Sequence, residues 1–354
     1  MGYPVRKKYR TVEIVFFAFI SWILTTTAPS ALAQSGPSFD CSKSSSYMEK
    51  QICQSAKLSE FDLKLDTSYR AAVEMLSPTA KKALQNSQRS WLKFVRTVCN
   101  STSPPSVITT DTEGCLAEKL QERERQLRAT TVKNGVVTIY PFGTFIAHQN
   151  STDDQSGHDS GYSTTQVSYP QMEGPDSSFK SRFNAAHAMF ASKIARSNPE
   201  ETDTDYFADY RILTANSNLL SVEVSGGFYA HGTPHGQYYS LIFNWLPREG
   251  RALHPTDIFA SSKPWQRFVQ SFCYKKLMEE MGEVWGGPDL NSFIKNLGPT
   301  IVDPKRWRID QKGLEIHFLT YEVAAYVAGE PKVVVPWEQL RDYLAPDAGK
   351  IFNQ

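Results

Sequence analysis

Cysteine is scarce in this sequence, with five among 354 residues, and no two form a Cys-x-x-Cys pair. That absence weighs against zinc frames, whose ligands come in such close pairs. Neither sign of charge is in excess: 38 Lys and Arg stand against 37 Asp and Glu, a net of +1. Such a balance does not suggest a nucleic-acid partner, which asks for a basic domain. No G-x-S-x-G elbow, H-E-x-x-H helix or Walker loop occurs, so the common hydrolase and nucleotide-binding signatures are missing. The carboxylate pairs Glu279/Glu280 and Glu200/Glu201 are neighbours in sequence only, whereas glycoside hydrolysis needs two carboxyls about 5–10 Å apart across a cleft. The chain reads as non-catalytic, with no cofactor and no metal.

Long apolar stretches are also lacking at the front of the chain. The run from Ile14 to Leu24 is about 11 residues, short of the roughly 20 that cross a bilayer core. Arg6, Lys7, Lys8 and Arg10 precede it and Ala31-Leu32-Ala33 follows, the pattern of a cleavable signal peptide over residues 1–33. The working protein then begins near Gln34, periplasmic or secreted, with no stable membrane insertion. Because no cysteine follows Ala33, no lipid attachment site is expected. Once the signal is removed, residues 34–129 hold 14 Lys/Arg against 11 Asp/Glu, and residues 130–354 hold 20 against 25. The remaining 321 residues exceed one typical core, so two domains are expected, 34–129 and 130–354.

Four of the cysteines, Cys41, Cys53, Cys99 and Cys115, lie within 75 residues of one another. In an exported region this reads as two disulfides. Around them the apolar residues follow a helical period: Leu58, Phe61, Leu65, Tyr69, Ala72 and Leu76; then Ala80, Leu84, Trp91, Phe94 and Val98; then Leu116, Leu120 and Leu127. A shorter helix over Tyr47–Ser55 precedes them. An all-α, disulfide-stapled bundle is predicted. Antiparallel packing of its helices favours long-range pairings over Cys41–Cys53 plus Cys99–Cys115. The fifth cysteine, Cys273, falls in the helical stretch Trp265–Met281 and reads as a buried free thiol.

Beyond a short linker at Ala129–Asn134 the period changes to that of strands, interrupted by a few helices, which argues an α+β domain. Expected strands include Gly135–Pro141, Gly143–Ala147, Thr164–Tyr169, Tyr206–Leu213, Leu219–Tyr229, Tyr238–Leu246 and three more between Arg306 and Val335. Helices are expected at Phe179–Arg196, Pro264–Met281 and Trp337–Leu344. The densest motif is Gly226-Gly227-Phe228-Tyr229-Ala230-His231-Gly232-Thr233-Pro234-His235-Gly236. A metal hydrolase built on His231 and His235 is a rival reading, with His317 and Glu322 as further ligands by residue type alone. The glycines and Pro234 forbid the helix that a spacing of four would use. A tight connection whose histidines hydrogen-bond neighbouring backbone is the preferred reading.

The run Phe39-Asp40-Cys41, Glu49 to Ile52-Cys53, Leu58, Asp62, Leu65 and Tyr69, then Gln88-Arg89-Ser90-Trp91-Leu92, Arg96, Cys99 and Cys115-Leu116 resembles the LprI-type lysozyme-inhibitor family. The resemblance spans the first domain and implies a secreted or surface helical module, in some members able to inhibit lysozyme. A second run, His317-Phe318-Leu319-Thr320-Tyr321-Glu322-Val323-Ala324-Ala325-Tyr326-Val327-Ala328-Gly329, joins the His-Gly motif and Gly250-Arg251-Ala252-Leu253 with Asp257-Ile258-Phe259. Together these resemble the extracellular domain of the lysozyme-sensing anti-sigma factor RsiV over about residues 175–345. Thr320 and Ala325 depart from that pattern, where relatives often carry proline. The joint resemblance implies a partner, a lysozyme-like muramidase that the protein binds and inhibits or buffers. Tyr229, His231, His235, Tyr321 and Glu322 are the expected contact residues. The alternative is a module that binds peptidoglycan or maintains the wall.

Overall fold

The computed structural model describes residues 36–99, 112–131, 138–149, 162–174, 177–194, 203–282 and 287–352. The expected signal peptide at 1–33 lies outside them. Contacts divide the chain into Met1–Gln34 and Ser35–Gln354, and all the described residues belong to the second unit.

Serine sets the helix starts of the N-terminal region. Ser46 caps α1 (Tyr47–Gln54) in a capping box: its hydroxyl accepts from Glu49 N–H, and the Glu49 carboxylate accepts from Ser46 N–H at 2.9 Å. The N–H groups of Ser46 and Ser45, both donating to it, hold the Glu49 carboxyl down at about 2. Ser55 caps α2 (Ala56–Glu74), and Ser77 caps α3 (Pro78–Val98), whose Pro78 occupies the first turn where its missing N–H costs nothing. After α3 the bundle closes with α4 (Thr112–Arg128). The predicted stripes meet in one core of Leu58, Leu65, Ala72, Leu84, Trp91, Phe94, Leu116, Leu120 and Leu127.

The disulfides pair locally, Cys41–Cys53 and Cys99–Cys115, which corrects the expected long-range arrangement. Cys41 sits in a single turn, Cys41–Lys43, capped by Asp40, and the chain folds back at once onto α1. Cys99 ends α3 and Cys115 lies in the first turn of α4, with Cα atoms 5.6 Å apart. Antiparallel packing brings a helix end nearest to the start of the next helix in sequence, and these two helices carry the second pair.

A six-stranded sheet follows in the order β1 (Thr138–Gln149), β2 (Tyr162–Glu173), β3 (Thr204–Ala215), β4 (Leu220–Ala230), β5 (Gln237–Leu246) and β6 (Arg251–Ala252). All neighbours are antiparallel except β2 and β3, which run parallel and are joined through α5 (Ser178–Ile194). The two short strands expected at the start are one long β1. Side chains alternate across this sheet. Tyr210, Val222, Val224 and Trp245 pack under Phe179, Phe183 and Phe190 of α5. Asp209, one residue along β3, faces the other way and is bound by Arg125 and Gln126 of α4.

On that second face the bundle covers β1, whose Tyr140 and Phe145 enter the helical core. Arg123 of α4 is fully buried there. Its guanidinium donates to Gln88 (2.8 Å) and Gln126 (2.9 Å) and lies 5.5 Å from the centre of the Phe145 ring. Burial without a direct carboxylate partner lowers its pKa to about 10. Thus Gln88 and Trp91, two residues of the N-terminal family motif, are an internal acceptor and a core ring.

The remaining described elements form a second layer: α6 (Pro255–Ile258), α7 (Trp265–Met281), α8 (Leu290–Ile301), β7 (Trp307–Ile309), β8 (Gly313–His317), β9 (Lys332–Pro336), α9 (Trp337–Leu340) and α10 (Gly349–Phe352). Strands β7, β8 and β9 form an antiparallel sheet. Its core is aromatic, with Phe259 stacked on Trp265 at 4.2 Å and Trp307 edge-on to both. Cys273 is buried in it as a free thiol, its pKa pushed up by desolvation. Asn244 of β5 ties this layer to the large sheet by donating to the carbonyls of Trp307 (2.8 Å) and Pro304 (3.0 Å).

Candidate functional site

The Gly/His motif is the end of β4 and its turn into β5. Gly226 and Gly227 lie where strands come together: a Cβ on Gly227 would stand 1.9 Å from the Gln237 carbonyl oxygen, so no other residue fits. Gly232 takes a φ of 79° in the turn, which glycine adopts freely. Against this turn lies the segment after β8, residues 318–331, which contains the second motif.

The two histidines of the turn face different partners. His231 Nε2 lies 3.0 Å from Asp205 and Nδ1 3.4 Å from Asp203. The hydrogen bond to Asp205 leads the effects that raise its pKa, so the imidazolium is favoured. Its bonds run to carboxylates, where backbone partners were expected. Asp205 also accepts from the N–H and hydroxyl of Thr164 at 2.8 and 2.7 Å, which ties β2, β3 and the β4 turn together. His235 points elsewhere. Its Nδ1–H donates to the Gly236 carbonyl at 3.2 Å, leaving Nε2 to accept from the Tyr321 hydroxyl at 2.9 Å. Its ring stacks on Tyr326 at 4.1 Å.

Tyr321 is exposed, with a φ of 69°. Glu322, next to it, turns inward, accepting from Arg306 at 2.7 and 3.2 Å and from the Leu319 N–H at 2.7 Å. That clamp fixes the loop from which Tyr321 projects. Tyr229 lies by His231, with ring centres 5.8 Å apart. His317 is engaged by Glu315 at 2.6 Å within β8. Among the described residues no group of three or more His, Cys, Asp or Glu side chains is placed to hold a metal ion.

Of the five residues named from sequence, His235 and Tyr321 meet directly, Tyr229 and His231 form a second pair, and Glu322 supports from beneath. Sequence reading missed Tyr326 as the stacking partner, Arg306 as the clamp, and Tyr238, whose hydroxyl lies close enough to Tyr326 to feel its charge. Tyr326 stood inside the quoted motif, so its signal was present. Arg306 and Tyr238 carried none.

Tyr238 also borders a cleft of about 190 Å³ on the sheet's second face, lined by Glu122, Phe207, Asp209, Ser225 and Glu330. Burial raises the pKa of Glu122 and of Glu330. A larger cleft of about 670 Å³ lies past the end of α5, between Phe190, Ile194, Tyr206, Phe228, Leu241 and Leu319. Its described lining holds no carboxylate and no imidazole, so it offers apolar burial and no acid–base pair.

Residues 41–127 match the family model described as lysozyme inhibitor LprI, and residues 256–338 match a protein of unknown function, DUF3298. No curated protein matches the chain. Among solved structures, a DUF3298 member from Bacteroides fragilis is similar at 14% identity, covering 63% of this chain and 100% of its own, with a TM-score of 0.45. A DUF3298 protein from Pseudomonas aeruginosa is similar at 12% identity, covering 59% and 96%, with a TM-score of 0.40. Tyr321, Glu322 and Tyr326 fall inside the second match, and His231, His235 and Tyr238 outside both. Two separate stretches of the chain are therefore similar to known families, 41–127 to lysozyme inhibitor LprI and 256–338 to DUF3298.

Proposed function

We propose that this is an exported envelope protein that binds lysozyme-like muramidases and blocks or buffers them without catalysis. The cleaved signal at 1–33, the domain limits 34–129 and 130–354, and the RsiV-type reading of the second domain belong to this proposal. One observation carries it on a chain with an LprI domain. Tyr238, Tyr321 and Val327 are exposed beside the His235–Tyr326 stack, at 43, 59 and 92% of their surface. Tyrosines that present a ring and a hydroxyl from a fixed loop are favoured anchors of protein interfaces. The adjoining cleft adds Glu122, Asp209 and Glu330. Glu330 is the carboxylate there that a basic muramidase surface would meet, since Arg125 holds Asp209 and Lys119 lies 3.7 Å from Glu122.

The N-terminal motif supports the fold beneath this surface. Trp91 is core, Gln88 holds Arg123, Asp62 accepts from Ser38 N–H at 2.7 Å, and Glu49 caps α1. The contact surface is therefore assigned to the exposed corner. The test is biosensor binding of a muramidase by the mature chain and by Tyr321→Ala. Loss of one interface anchor is expected to weaken binding by about 1–2 kcal/mol, roughly tenfold, with the melting temperature nearly unchanged. If the wild-type chain fails to bind at micromolar concentration and low salt, the proposal is wrong. A large drop in melting temperature would make Tyr321 a packing residue instead.

A further inference from the structure

The outer face of α3 carries charge of one sign. Its 21 residues include Lys81, Lys82, Arg89, Lys93 and Arg96 and no Asp or Glu. Its neighbours compensate their own charges: α2 pairs Lys64 with Glu60 and Arg70 with Asp66, and α4 pairs Arg128 with Glu124. On α3 no such pair exists within the helix. Among the described residues the one carboxylate that reaches it is Glu49 of α1, 3.4 Å from Arg96, and that group is already held by the Ser45 and Ser46 N–H groups.

Steps of seven, four and three residues place Lys82, Arg89, Lys93 and Arg96 near one line along the helix. At 1.5 Å per residue that line is about 21 Å long. Arg89, Lys93 and Arg96 are exposed, and with Leu92, Thr97 and Tyr162 they line a concavity of about 490 Å³. A row of uncompensated cations repels itself and gains from a polyanion laid along it. Leu92 and Tyr162 add apolar and ring surface of the kind on which a sugar face packs. The same row would repel a basic protein, so this surface is separate from the tyrosine corner.

We propose that the α3 groove binds an anionic glycan chain, its acidic groups on Arg89, Lys93 and Arg96 and a sugar ring against Tyr162. The chain would then have two binding faces, one for a charged glycan and one for a protein.

The test measures binding of the mature chain to polygalacturonate oligomers and to uncharged dextran at low ionic strength, where screening is weakest. Polygalacturonate should bind and dextran should not. Arg89→Glu/Lys93→Glu should weaken the complex by about tenfold or more, while the control Lys263→Glu/Lys312→Glu, of equal charge change, should leave it nearly unaltered. Circular dichroism of each variant confirms that it is folded. Equal losses in both variants would reduce the effect to diffuse charge, and absent wild-type binding would remove the site; either overturns the proposal. Tighter binding of single-stranded DNA of matched charge would overturn the glycan assignment. Binding that emerges only after Asp153, Asp154 and Asp159 are changed to Asn would assign the groove to the chain's own acidic run.

Discussion

Two histidines of this protein titrate in opposite senses because their surroundings differ. His187 lies between α5 and the sheet, its ring 4.2 Å from Phe183 and 4.6 Å from Phe243. Nδ1–H donates to the Phe183 carbonyl, and Nε2 has no hydrogen-bond partner. Burial holds its pKa at about 4, against an ordinary 6.5. As pH falls through that window, the unfolded chain takes up a proton that the folded chain refuses, so stability falls. His231 is raised by Asp205 and Asp203, so its contribution is full below its ordinary value and is lost as pH rises through the folded one. Stability measured by denaturant titration should therefore decline on both sides of a maximum near neutrality. His187→Phe should flatten the acid limb, and His231→Gln the alkaline limb. Unchanged slopes in either variant would show that other groups govern that limb. The sequence showed both residues but not their neighbours, since a histidine on an apolar stripe and one in a glycine turn reveal no partner until the sheet brings Phe243 or Asp205 to them.

At the scale of elements, most of the fold was legible wherever one period ran long. The Leu58–Leu76 and Ala80–Val98 stripes became α2 and α3, and the alternation in Leu219–Tyr229 became β4. Helix α8 was missed because Gly298 and Pro299 fall inside it, and both residues argue for a break. Its capping Asp289, which accepts from Asn291 and Ser292, was the available signal. The disulfide pairing was illegible because it depends on which helix end meets which start, a tertiary fact. Each bridge closes a short loop, with separations of 12 and 16 residues. Each should contribute about 3 kcal/mol by constraining the unfolded chain. Cys41→Ser/Cys53→Ser and Cys99→Ser/Cys115→Ser should each lower the melting temperature while preserving helical circular dichroism. Loss of helical signal in either would mean that the bridge is needed for the bundle to form at all.

The whole molecule is joined across the bundle and the large sheet by polar contacts that composition does not reveal. Arg123 is held by Gln88, Gln126 and Ser87, while Gln126 and Arg125 also reach Asp209 of β3. Replacing Arg123 by Ala leaves buried acceptors unpaired beside a cavity and should cost roughly 3–5 kcal/mol. Arg123→Met, which keeps the stem and the packing against Phe145, should cost less. Because Tyr140 and Phe145 sit in the helical core, the wild-type chain should unfold in one transition by both far-ultraviolet and tryptophan signals. Two separated transitions would mean that this junction couples weakly. The site shares this dependence on the whole chain, since His235 comes from the large sheet and Tyr321 and Tyr326 from the layer after β8. Hydrogen–deuterium exchange of the mature chain with and without a muramidase tests the central claim most directly. The account predicts slowed exchange at residues 231–239 and 318–329 and no change along α3. Protection confined to α3, or none anywhere at saturating muramidase, would contradict it.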